Sequence, residues 1–142
     1  MTPEQVGLVT QSVVALRSRL AEVADDFYAR LFERHPDLRA MFPAELTALR
    51  RKFADELELI VRAIPDFGGF VDRARGLGSR HVGYGVRAGH YTAVRPVLLE
   101  ALAAALGDRW HDELAVAWHS AYDMITEVML MGAVPAPPRI GS

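Results

Sequence analysis

Cysteine is absent from the 142 residues, which excludes disulfides, thiolate metal sites and any cofactor attached through a thioether. Lysine is nearly absent as well: Lys52 stands alone, and arginine carries the other basic charges. There is no cationic excess, since the net charge is −2. Without a clustered basic face the chain is not built to neutralise phosphates, so nucleic acid is excluded as a partner. No run approaches the roughly 18 apolar residues that a membrane span requires. Met1-Thr-Pro-Glu-Gln has neither the basic start nor the apolar centre of a secretory signal. The expectation is a cytoplasmic protein without a membrane partner. No stretch alternates apolar and polar residues long enough to make a strand, and no glycine-rich dinucleotide fingerprint follows one.

What is present is ordinary in proportion, with 51% hydrophobic and 24% charged residues. A chain of this length forms one domain that buries about two-thirds of its unfolded surface, enough for a core that can give up volume to a bound group. Apolar residues recur at helical spacing nearly throughout, so the expected class is all-α. Thr2-Pro3-Glu4 signals a helix start, and Val9, Val13 and Leu16 follow at steps of three and four. Val23, Phe27, Leu31 and Phe32 mark a second helix, which Pro36 ends in favour of a short turn of helix toward Phe42. Leu46, Leu49, Phe53, Leu57, Ile60 and Ile64 form one stripe. Pro65-Asp-Phe-Gly-Gly breaks the chain, and the next stripe runs from Phe70 through Val71, Ala74 and Leu77 to His81. Gly83, Gly85 and Gly89 predict a corner. Two long helices follow, Tyr91 to Leu106 with Gly107 as C-cap, then Trp110 to about Met131. Residues 134–142, rich in proline, are expected to be extended or disordered after a domain spanning 1–133.

Three constellations carry chemistry. Arg80-His81 is followed by Gly85 and by His90-Tyr91. Upstream stand Phe27-Tyr28, Phe32, His35-Pro36 and Phe42. Near the end stands Ala117-Trp118, followed by Ala121-Tyr122. In this order and spacing they resemble the globin family, in particular flavohaemoglobins and single-domain bacterial haemoglobins.

The resemblance implies about seven helices around a pocket for haem b, held without covalent attachment, with His81 as its one metal ligand. Phe42 packs on the porphyrin, and Tyr28 is the distal hydroxyl and candidate catalytic residue. Leu49, where relatives usually have Gln or His, Phe53 and Leu57 give an apolar distal wall, while Tyr91 and Val94 complete the cofactor-binding set. Arg80 is placed to meet a haem propionate. A flavohaemoglobin also has an acidic partner for the proximal His. Counted without gaps from Trp118 and Tyr122, that position falls on Ala133, and Glu127 lies too early to replace it. The oligomeric state is left open.

Each residue also has an ordinary reading. His35, His81, His90, His111 and His119 could each be a plain surface or half-buried histidine, and His90 reads best as a structural residue at the corner. Leu49 and Phe53 would serve equally in a core with no cofactor, Glu127 as a solvated charge, and Arg80 as a solvated cation. The functional readings are reversible binding of O2, NO or CO for storage, delivery or sensing, and, as an alternative, conversion of NO and O2 to nitrate with a separate flavin reductase. A third is a haem-free helical interaction domain.

Overall fold

The computed structural model describes residues 1–133; the expected proline-rich tail lies outside the described residues. Within them the chain is helical, with six α-helices: α1 (Pro3–Leu16), α2 (Leu20–Arg34), α3 (Thr47–Ala63), α4 (Phe67–Gly83), α5 (Ala88–Leu106) and α6 (Asp112–Ala133). Short 3-10 turns lie at Arg17–Arg19, Pro36–Met41 and Gly107–Arg109, and the six α-helices come close to the expected count of about seven.

Local chemistry sets the boundaries. The Thr2 hydroxyl accepts from the Gln5 amide at 3.1 Å while the Gln5 side chain accepts from the Thr2 amide at 3.0 Å. This reciprocal cap is worth about 1 kcal/mol. Pro36 lacks the amide an interior position needs, so α2 stops at Arg34 and the chain tightens into a 3-10 turn. Three boundaries differ from expectation, one of them at α6, which begins at Asp112 and not at Trp110. α4 begins at Phe67, inside the expected break, and α5 begins at Ala88, so Gly89 is helical. At Gly85 φ is +83°, a left-handed conformation that glycine adopts freely, and here it reverses the chain just after α4.

α1 lies on α6 and buries Val9, Val13 and Leu16, α2 packs on both α3 and α5, and α4 runs along α6. The indole of buried Trp118 donates to the Ser12 hydroxyl at 3.0 Å, and that hydroxyl donates to the Val9 carbonyl at 2.7 Å. A buried polar pair thus joins the first and last helices with its donors satisfied. By contrast α3 and α4 meet over only a short stretch.

No helix among the described residues is long and apolar enough to cross a membrane.

Candidate functional site

α2 carries Phe27 and Tyr28 on its buried face, and the turn after it carries Phe42. Arg39 fixes that turn by donating to the carbonyls of Phe42 (3.3 Å), Pro43 (2.9 Å) and Ala44 (2.9 Å), with its guanidinium 5.1 Å from the Phe32 ring centre. The result is an aromatic cluster. Tyr28 lies 5.1 Å from Phe27, 5.7 Å from both Phe42 and Phe53 and 5.8 Å from Phe32, and Phe27 stacks on Phe53 at 4.6 Å. Tyr28 is only 4% exposed, and no hydrogen-bond partner for its hydroxyl is found among the described residues. Burial pushes its pKa up to about 12 against a smaller opposing pull from Arg50, so the phenol keeps its proton. Leu49 and Leu57, one turn before and after Phe53, continue this wall.

α4 carries the candidate histidine near its C-terminal end. The His81 Nδ1 lies 2.8 Å from the Leu77 carbonyl. A carbonyl only accepts, so Nδ1 bears the proton and Nε2 is left with its lone pair. Desolvation lowers the pKa of His81, partly offset by that carbonyl, and the ring is neutral, the state a metal ligand needs. The rings of Tyr84 and Tyr91 lie 6.0 and 6.3 Å away. Tyr84 is exposed, whereas burial raises the pKa of half-buried Tyr91. Tyr122 of α6 donates its hydroxyl to the Tyr91 carbonyl, and burial raises its pKa as well.

Leu49, Phe53, Leu77, Tyr91 and Val94 are all partly buried against the core while keeping some exposed apolar surface. They sit on α3, α4 and α5, which pack chiefly on other helices. A flat apolar group covering such walls gains about 25 cal/mol per Å². With a neutral imidazole beside them, these residues fit haem.

Arg80 leans on Glu56 of α3 at 3.6 Å, with its side chain 58% exposed, and Glu56 also pairs with Arg73 at 2.6 Å. It is therefore engaged across the α3–α4 gap and is not simply solvated. His90 accepts from the Arg87 amide at 2.9 Å and so caps α5.

Ala133 needs correction. A side chain on Gly132 would strike the Arg75 backbone, and one on Gly78 would strike the Met129 backbone. Three residues back along α6 thus match three forward along α4, and the two helices run antiparallel. Ala133 consequently lies near the level of Arg75, about 9 Å along the axis from His81 at roughly 1.5 Å per residue. Gapless counting does not bring it beside the histidine. Tyr122, in the middle of α6, is the residue tied into that neighbourhood through the Tyr91 carbonyl.

Sequence reasoning missed four contributors: Arg39, Glu56, Gly78 and the hydroxyl of Tyr122. The two charges looked like solvated ones, and only the Tyr122 motif carried a signal.

A helical bundle that carries a half-buried neutral histidine on α4 and a tyrosine buried among phenylalanines on α2 has the residue types a haem protein needs. Residues 25–129 match the family model Globin, and the chain belongs to the globin family. It is 29% identical over 138 residues to a flavohemoprotein of Deinococcus radiodurans, with 92% of this chain covered but only 33% of that relative. The chain thus spans about a third of the flavohemoprotein's length. It is 30% identical over 135 residues to a leghemoglobin of Medicago sativa, covering 86% of this chain and 90% of the relative. Among solved structures, a bacterial globin from Campylobacter jejuni shares the fold with a TM-score of 0.83 at 22% identity, over 93% of this chain and 96% of that one. An engineered carbene transferase from Rhodothermus marinus gives 0.82 at 28% identity, over 94% and 93%.

Proposed function

We propose that the protein holds haem b through His81 as the only protein ligand to iron and reversibly binds O2 and other diatomic gases, for storage, delivery or sensing. The observation that carries this reading is the His81–Leu77 hydrogen bond, which fixes a neutral imidazole with Nε2 free. Haem, held there by His81, would supply the iron that takes up the gas.

The chain's own residues do the rest. Leu77 accepts from Nδ1 and so holds the ring's tautomer and direction. Phe42 is placed by Arg39 to pack against the cofactor. Leu49 and Phe53 offer neither a hydrogen-bond donor nor an iron ligand, so they exclude water and leave the gas side to Tyr28. The Tyr28 hydroxyl, protonated and free of a partner among the described residues, donates to a polar ligand. A hydrogen bond to a partly charged ligand is worth about 1.5–3 kcal/mol.

Conversion of NO and O2 to nitrate is a second reading, supported by the likeness to flavohemoproteins and to the Rhodothermus marinus protein, whose parent is put forward as a nitric oxide dioxygenase. Turnover of that kind needs an electron, for which a flavin reductase is the proposed donor. Titration of the purified protein with O2, NO and CO, read in the Soret band, tests the first reading. A purified protein that takes up no haem returns the chain to the helical interaction domain.

A further inference from the structure

Among the described residues, the most extensive contact between two helices is that of α4 with α6. There is no room for a methyl group at Gly78, which would collide with the Met129 carbonyl, or at Gly132, which would collide with the Arg75 carbonyl. Each helix presses a glycine against the backbone of the other, a reciprocal contact. This is particular to those two positions. A methyl at Gly76, on the same helix, would stand at an ordinary 3.7 Å from the Arg80 guanidinium, and one at Gly83 would meet nothing within 4 Å. An interior glycine costs a helix about 1 kcal/mol relative to alanine, so the close approach must offset that loss.

We propose that Gly78 and Gly132 are positioning residues for His81: they let α6 grip the turn of α4 that carries the ligand, so that the imidazole is aimed before the cofactor arrives. The connection from grip to ring is short. His81 Nδ1 is bonded at 2.8 Å to the carbonyl of Leu77, the residue just before Gly78. The ring's direction is therefore tied to the gripped turn, and His81 follows one turn later. The inference rests on His81 being the ligand, and half of its test does not.

In the haem-loaded protein, Gly76→Ala and Gly78→Ala bring the same gain in helix propensity, and only the second brings the collision. Gly76→Ala should keep the wild-type iron–histidine stretching frequency and rate of haem loss. Gly78→Ala should shift the frequency and speed haem loss roughly 10- to 100-fold, the scale for losing ligand support at metal sites. Unchanged values in Gly78→Ala overturn the proposal. Should that variant fail to fold, hydrogen exchange in the wild-type, haem-free full chain decides. The grip requires amides from Leu77 to Val82 to be protected as strongly as those from Ile125 to Met129, and rapid exchange over Leu77 to Val82 in a folded chain overturns it. A wild-type chain that takes up no haem removes the functional reading, and the exchange measurement still judges the grip.

Discussion

Replacing Tyr28 by Phe removes one oxygen atom and leaves the ring in place among Phe27, Phe32, Phe42 and Phe53. No cavity forms, and no protein hydrogen bond is broken among the described residues. Losing a hydroxyl that has no protein partner among the described residues should therefore leave the haem-free protein about as stable as before. Gas binding should respond oppositely. Loss of about 1.5–3 kcal/mol at the ligand corresponds to roughly 10- to 100-fold faster O2 dissociation, measured by stopped flow, with a much smaller change for the less polar CO. Alkaline stability gives an independent check. Unfolded Tyr28 loses its proton near 10.0, whereas the folded residue holds it to about 12. Stability thus falls as pH rises across that window, by about 2–3 kcal/mol from this group at 1.4 kcal/mol per unit. Tyr28→Phe should be less sensitive to alkali than the wild type. Equal acceleration of O2 and CO loss, or a marked drop in melting temperature at neutral pH, would refute the reasoning by showing that the hydroxyl serves packing.

His81→Ala should lose haem or hold it weakly, and because ligand binding stabilises the native state, it should melt below the haem-loaded wild type; retained haem with an unchanged spectrum sinks the assignment. Leu49 offers no distal ligand, so resonance Raman should show the ferrous, gas-free iron as five-coordinate and high-spin. A low-spin bis-histidine spectrum contradicts this. Ala133→Glu should leave the iron–histidine stretching frequency and the reduction potential at their wild-type values, since the register of α6 keeps that position away from the ligand; movement of either means that α6 reaches His81 after all.

The helices were legible because each buries a stripe that the sequence shows, as Val9, Val13 and Leu16 do for α1. Gly89 misled because glycine weakens a helix by only about 1 kcal/mol, and the His90 bond to the Arg87 amide supports the first turn of α5. Phe67-Gly-Gly likewise joins α4, whose first turn is closed by the Phe70 amide bonded to the Asp66 carbonyl at 2.8 Å. At the site, the chemistry of His81 and Tyr28 was readable because residue type and local order carry it. The place of Ala133 was not, since counting along one helix does not say which turn of a neighbour it faces. Backbone contact at Gly78 and Gly132 decides that, and it leaves no periodic trace. Arg39 and Glu56 were hidden for a related reason. Arg39 bonds to backbone carbonyls, which no residue pattern announces, and the arginines that Glu56 meets are brought close only by the fold.

The bond from Trp118 to Ser12 spans 106 residues of chain. During synthesis at roughly 5–20 residues per second, the first helix therefore waits on the order of 5–20 s before its partner leaves the ribosome. Through that interval α1 lacks the helix it packs on most, and the nascent chain is exposed to chaperones and proteases at its oldest end. Ribosome-arrested chains that stop before α6 should be cut readily within α1, and release of the full chain should abolish the cleavage.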